Sequence, residues 1–277
     1  VQSLAWLLAL FAALYGLYVL YFFLMQRTIL FPTHLLPPSP AIPAPLAGRE
    51  ILWVTVDGEA VEAWLLWPQA HEPDLTASVP LVVVGHGNGE RIDEWGRAVE
   101  PLRGMGYAVL LVEYPGYGRS GGKPSQQSIL TTFQMAYDAV VARPQIDGER
   151  VIFFGRSVGG AAVALLSQTR PSAGMILFST FTSVGEMAQG MGLPGFLARD
   201  PFDVRAAVSA YPGPLLILHG ERDRIVPFRH GQALHQAAAH SHFLPLACDH
   251  NDCVQDWRAF WQRLRPFLDD AAALGEP

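Results

Sequence analysis

Gly155-Arg156-Ser157-Val158-Gly159 sets a serine between two glycines at the junction of two unlike stretches. Arg150-Val151-Ile152-Phe153-Phe154, before it, is β-branched and aromatic and reads as a buried strand. Gly160-Ala161-Ala162-Val163-Ala164-Leu165-Leu166, after it, reads as a helix packed on a core. A strand that turns into a helix within about three residues brings two backbones together, so side chains at 155 and 159 would collide. In that context the pattern is a nucleophile elbow. Ser157 stands at its tip, on strained backbone, with a helix N-terminus behind it. A second match, Gly118-Arg119-Ser120-Gly121-Gly122, follows the turn Tyr114-Pro115-Gly116-Tyr117 and lacks the strand before it, so Ser120 reads as loop.

A serine hydroxyl is a poor nucleophile at neutral pH and needs a base, which in turn needs an orienting carboxylate. In a parallel sheet such groups gather in the loops after the strands. Asp223 follows Leu215-Leu216-Ile217-Leu218-His219-Gly220, and His250 follows His242-Phe243-Leu244-Pro245-Leu246. The chain order Ser157, Asp223, His250 is that of α/β-hydrolases. Glu221 is an alternative acid. Asp249 is a local neighbour of His250, and Asp252 is expected to cap a following helix. His86 and His219, each after an apolar strand, are expected near a pocket.

Acyl transfer puts negative charge on a carbonyl oxygen, which calls for two backbone N–H donors. Val158, after the nucleophile, is one. Asn88, in Gly85-His86-Gly87-Asn88-Gly89, is the other. That loop lacks the lysine and the Ser/Thr of a phosphate-binding loop. Asp249, His250 and Asp252 lack zinc spacing, so no metal and no cofactor is expected.

These residues need a scaffold. Half of the 277 residues are hydrophobic, enough for one large α/β domain. Formal net charge is −6 with no basic stripe, which argues against nucleic acid. Cys248 and Cys253, the two cysteines, read as idle thiols more readily than as a disulfide.

Residues 4–25 carry no charge, and at ~1.5 Å per residue they reach ~33 Å, enough to cross a bilayer. Residues 1–25 are therefore expected to be a transmembrane anchor in contact with lipid, its apolar run too long for a cleaved signal. Arg27 follows the span, which places the catalytic domain on the cytoplasmic side by the positive-inside rule. Residues 26–48, with six prolines, read as an extended linker.

Residues 49–277 read as the catalytic domain. A hairpin turns at Asp57-Gly58, between Ile51–Val56 and Ala60–Trp67. Short apolar runs at 81–84, 108–112, 150–154, 175–178 and 215–218 then alternate with helical stretches near 91–103, 125–141, 160–166 and 227–239. The fold class is α/β, a mostly parallel sheet with helices on both faces. Pro245 marks an edge strand, and 252–268 is the last helix. Residues 180–212 read equally as a small cap over an apolar pocket or as an ordinary core helix with its connections.

Together, the apolar leader, Phe31-Pro32, Gly85-His86-Gly87-Asn88-Gly89, Tyr114-Pro115-Gly116-Tyr117-Gly118, Gly155–Gly160, Phe181-Thr182-Ser183, Gly220–Pro227 and His250-Asn251-Asp252 resemble the membrane-anchored α/β-hydrolases of the Bem46-like type. The resemblance spans roughly residues 27–270. It implies an α/β-hydrolase fold, Ser157, Asp223 and His250 as a triad, and Asn88 and Val158 as oxyanion donors. It also implies an esterase, a peptidase-like enzyme or a protein depalmitoylase. Cys248-Asp249 departs from the small residues expected before the histidine. The function expected is a membrane-anchored hydrolase of lipophilic esters or thioesters. A peptidase of prolyl-oligopeptidase descent and a non-catalytic binding protein are the rivals.

Overall fold

The computed structural model describes residues 2–41, 43–69 and 78–273. The first residue of the expected anchor and the last four of the expected catalytic domain lie outside the described residues. An eight-stranded sheet carries the fold. Its strands are β1 (Arg49–Val56), β2 (Glu59–Leu66), β3 (Val79–Gly85), β4 (Ala108–Val112), β5 (Ile146–Arg156), β6 (Gly174–Phe178), β7 (Leu215–Gly220) and β8 (Ser241–Leu246). Their order is β1-β2-β4-β3-β5-β6-β7-β8. β1 and β2 run antiparallel to their neighbours, and the rest is parallel. Val56 pairs with Glu59, which leaves Asp57-Gly58 as a two-residue turn. Both turn residues have positive φ, 52° and 83°, the backbone of a type I′ turn. β8, with Pro245, lies at the sheet edge.

Alternation along the central strands builds a core on each face. Leu81 and Val83 of β3 join Phe153 of β5 on one side, under α4 (Gln126–Val141) and α5 (Val158–Leu166). Val82, Val84, Ile152 and Phe154 join the other, under α2 (Ile92–Ala98), α3 (Glu100–Gly104) and α9 (Trp257–Ala273). Ser125 caps α4: its hydroxyl accepts from the Ser128 N–H while the Ser128 hydroxyl accepts from the Ser125 N–H.

Several boundaries differ from expectation. The single helix expected over 91–103 is two, α2 and α3, which break at Val99 because Pro101 has no N–H to continue the ladder. The last helix begins at Trp257 and not near 252. Asp256 Oδ1 receives the Arg258 N–H at 2.8 Å, and the Asp252 carboxylate instead accepts from the Asp249 N–H at 2.6 Å. Asp252 is therefore not a helix cap.

The apolar helix α1 runs Gln2–Leu30, past Met25 and into the stretch expected as linker. It is long and apolar enough to cross a membrane, and none of its residues is buried. The chain after it packs onto the domain. Phe31 is buried and meets Phe202 edge-on, and Arg91 Nη1 donates to the Pro37 carbonyl at 2.6 Å.

Segment 180–212 divides. α6 (Val184–Gly190) and a short turn at Gly195–Leu197 bury no residue. α7 (Val204–Ala210) buries Val204, Ala207 and Val208 in the core. The cap and the core-helix readings each hold for one half.

Candidate active site

The sharp turn from β5 to α5 is enforced sterically. A Cβ on Gly155 would overlap the backbone of Gly159 and Gly160, and one on Gly159 would overlap the Gly85 carbonyl. Ser157, between them, has φ 53° and ψ −118°, a backbone few non-glycine residues adopt. Its N–H donates to the Phe178 carbonyl at 2.8 Å, so the tip is braced by the end of β6.

Asp223 and His250 come from the loops after β7 and β8 and meet. His250 Nδ1 lies 2.7 Å from Asp223 Oδ2, and both side chains are buried. Asp223 Oδ1 accepts the N–H groups of Ile225 and Val226, at 2.9 and 2.7 Å, which fixes the carboxylate. Glu221, the alternative acid, is exposed. Among the described residues no hydrogen bond joins Ser157 Oγ to the His250 ring. In unliganded enzymes catalytic hydrogen bonds are often long and tighten only when substrate binds.

Asn88 and Val158 line the same cavity as Ser157. Among the described residues neither of their N–H groups is engaged. The Asn88 side chain is held elsewhere: Nδ2 donates to the Leu30 carbonyl at 3.2 Å, which ties the amide to the end of α1 and leaves the backbone N–H unengaged.

The family described as "Serine aminopeptidase, S33" matches residues 77–200. An uncharacterized protein of Mycobacterium tuberculosis is 32% identical over 260 residues, 91% of this chain and 89% of that one. The α/β hydrolase domain-containing protein WAV2 of Arabidopsis thaliana is 31% identical over 212 residues, 69% of this chain and 67% of that one. The chain belongs to the α/β-hydrolase family. Two solved structures share the fold. Est1E from Butyrivibrio proteoclasticus, with ferulic acid bound, has a TM-score of 0.68 at 21% identity, covering 80% of this chain and 99% of that one. A bacterial membrane phospholipase A has a TM-score of 0.58 at 19% identity, covering 98% and 97%.

The residue before the serine joins two distant loops to the turn. Arg156 Nη2 donates to the His250 carbonyl at 2.9 Å and to Asn251 Oδ1 at 2.8 Å. Its other nitrogen pairs with Glu90, whose carboxylate also accepts the Gly87 N–H at 2.7 Å. One guanidinium therefore ties the histidine loop and the glycine-rich loop to the elbow. Burial pushes its pKa down, and the field of Asp223 opposes that. Arg156 fills a motif position open to any residue, so the motif assigns it no role. A charged residue closing an apolar strand was the available signal. Arg156→Met is expected to lower kcat roughly 100-fold by letting the histidine drift, with Arg156→Lys intermediate; acyl-ester turnover measures it.

Asp249 also holds the histidine loop. It accepts the N–H groups of Arg224 and His250 and the Arg224 guanidinium, which bring its pKa down to about 2. Cys248 and Cys253 are joined in a disulfide that closes the loop around His250, a correction to the idle thiols expected. Reduction is expected to lower turnover several-fold with unchanged far-ultraviolet dichroism, and Cys253→Ser to make activity insensitive to dithiothreitol.

His86 and His219 do not line the cavity, against expectation. His86 is buried, with Nε2 2.7 Å from Glu113 Oε1 and its ring stacked on Tyr114. His219 Nε2 lies 2.8 Å from the Val226 carbonyl and 3.5 Å from Asp223 Oδ2, behind the carboxylate.

His230, in α8 (Arg229–Ala237), accepts the Thr182 N–H on Nδ1 at 3.3 Å. Burial, with help from Arg229, lowers its pKa to about 4. An unfolded histidine titrates near 6.5, so between about pH 6.5 and 4 the unfolded chain takes up a proton that the folded chain refuses. Stability conferred by the neutral ring is complete above that window and is lost as pH falls through it. Urea midpoints are expected to drop from pH 7 to pH 4.5, and less steeply in His230→Gln.

Proposed function

We propose that this chain is a membrane-anchored serine hydrolase of carboxylic esters or thioesters. Ser157 attacks the acyl carbon and passes its proton to His250 Nε2, while Asp223 holds the ring through Nδ1. The N–H groups of Asn88 and Val158 receive the oxyanion. The proton then goes to the leaving alcohol or thiol, and water repeats the sequence to free the acid. The observation that carries this reading is the left-handed Ser157 on the wall of one cavity with two unengaged N–H donors, together with a buried Asp223–His250 pair whose carboxylate is held by Ile225 and Val226 of the same wall.

The cavity holds about 340 Å³ and is walled mainly by aliphatic and aromatic side chains, among them Phe181, Val184, Met187 and Leu197. That lining favours a lipophilic acyl group. The fold neighbours, Est1E with ferulic acid bound and a membrane phospholipase A, support an ester substrate by analogy. Residues 4–25 of α1 anchor the enzyme in the bilayer. Signals for its side pull apart: Arg27 favours the cytoplasm, and the Cys248–Cys253 bond favours an oxidising compartment.

A fluorophosphonate probe tests the reading. Wild-type protein is expected to label and Ser157→Ala is not; an unlabelled wild type refutes it. The peptidase reading has the family description "Serine aminopeptidase, S33" in its favour. Faster cleavage of an acyl amide than of the matching ester would install it instead.

A further inference from the structure

The catalytic domain does not enclose the cavity before Ser157 by itself. One wall is α1. Val19, Phe22, Phe23, Gln26 and Leu30 line it, opposite Met187 and Leu197. Spaced three and four apart, these positions form one stripe of the helix. From Tyr15 onward the helix is fastened to the domain. Tyr15 Oη donates to the Gly192 carbonyl at 3.0 Å and Tyr18 Oη to the Met191 carbonyl at 2.8 Å. Gln26 Oε1 accepts the Arg199 N–H at 2.7 Å, and Arg27 pairs with Asp200 at 2.6 Å. At the end of α1, the Leu30 carbonyl holds the side chain of Asn88, whose backbone faces the reacting carbonyl in the proposed mechanism.

The contacts also set a depth. Tyr15 lies ten residues, about 15 Å, inward of Met25. When residues 4–25 fill a hydrocarbon layer of about 30 Å, Met191 and Gly192 stand near its middle. Around them the domain exposes large apolar side chains: Phe196 is 87% exposed, Ile225 54% and Met191 50%. Such a patch is unfavourable in water and matched in lipid. Among the described lining side chains only Gln26, Asn88 and Ser157 are polar and none is charged. This suits a hydrocarbon chain and offers little to a peptide main chain.

We propose that the acyl chain of a bilayer lipid ester enters sideways from the leaflet, between α1 and residues 184–198, and that Val19, Phe22 and Phe23 of the membrane helix set the chain length accepted. The proposal rests on Ser157 acting as the acyl-transfer nucleophile. The Ser157 Oγ–acyl bond forms as the ester C–O bond breaks, the proton passes through His250 to the departing lipid alcohol, and water then releases the fatty acid.

The test uses the full chain in dioleoylphosphatidylcholine vesicles and reads the ratio of kcat/KM for p-nitrophenyl palmitate to that for the acetate. Val19→Trp is expected to lower the ratio about tenfold or more, and Phe22→Trp to lower it as well. Leu24→Trp, on the opposite face of α1, is expected to stay within about twofold of wild type, in contrast to the pocket-facing variants. An unchanged ratio in both pocket variants, or an equal fall in Leu24→Trp, overturns the assignment. Fatty acid release from the vesicle lipid should outpace cleavage of an S-palmitoyl peptide anchored in the same vesicles, and the reverse order overturns the lipid as source. Ser157 labelling by the fluorophosphonate with an unchanged ratio defeats this proposal alone; absence of labelling defeats the parent reading with it.

Discussion

Ser157→Ala is expected to lower turnover of an activated acyl ester by roughly 10⁴-fold or more, with KM little changed. The variant removes the hydroxyl and little else. Alanine and serine bear the same strain at φ 53°, since neither is glycine, and the Ser157 N–H keeps its bond to Phe178 through the main chain. The melting temperature should therefore stay near the wild-type value. The Asn88 and Val158 donors remain, so a residual rate above that in water should survive. Ser120→Ala is the control. Ser120 sits in a turn where its hydroxyl accepts the Glu62 N–H at 3.0 Å, remote from the cavity. Its loss should leave turnover within about twofold, since it does not line the cavity, while the unpaired Glu62 N–H costs some stability. Equal losses in the two variants would remove the basis for choosing between the two serine motifs.

Local pattern carried most of the fold. Strand runs such as Leu81–Val84 alternate between the two cores of the sheet, and their neighbours in sequence signalled a doubly covered sheet. The elbow was legible because its glycines answer to a steric demand that the motif itself states. What escaped depends on contacts between distant segments. Arg156 occupies a motif position open to any residue, and its partners, Glu90 and the loop at 250–251, lie far off in sequence. The packing of α1 was invisible for a different reason. Its residues are apolar on every side, so no stripe marks the face that meets the cavity. The start of α9 turned on which of two aspartates caps it, and the hydrogen bond from the Asp249 N–H diverted Asp252.

Asp223→Asn should cost about as much as losing the nucleophile, near 10⁴-fold, with the fold intact. The reason is which atom faces which. Asp223 Oδ1 accepts two main-chain N–H groups, from Ile225 and Val226. In the variant only the amide oxygen can take that place, so the amide NH₂ must face His250 Nδ1. Nδ1 now accepts a hydrogen bond where before it donated one, and the ring proton moves to Nε2. Nε2 is the nitrogen left to face Ser157, and with a proton already on it the ring cannot take another from the hydroxyl. His219 Nε2, which meets the Val226 carbonyl at 2.8 Å, stays a donor and cannot relieve the error. Nitrogen chemical shifts of His250 should report the exchange of tautomers, and fluorophosphonate labelling of Ser157 should slow in step with ester turnover. Retention of more than a tenth of wild-type kcat, with the tautomer shown to have switched, would mean that His250 is not the base that activates Ser157.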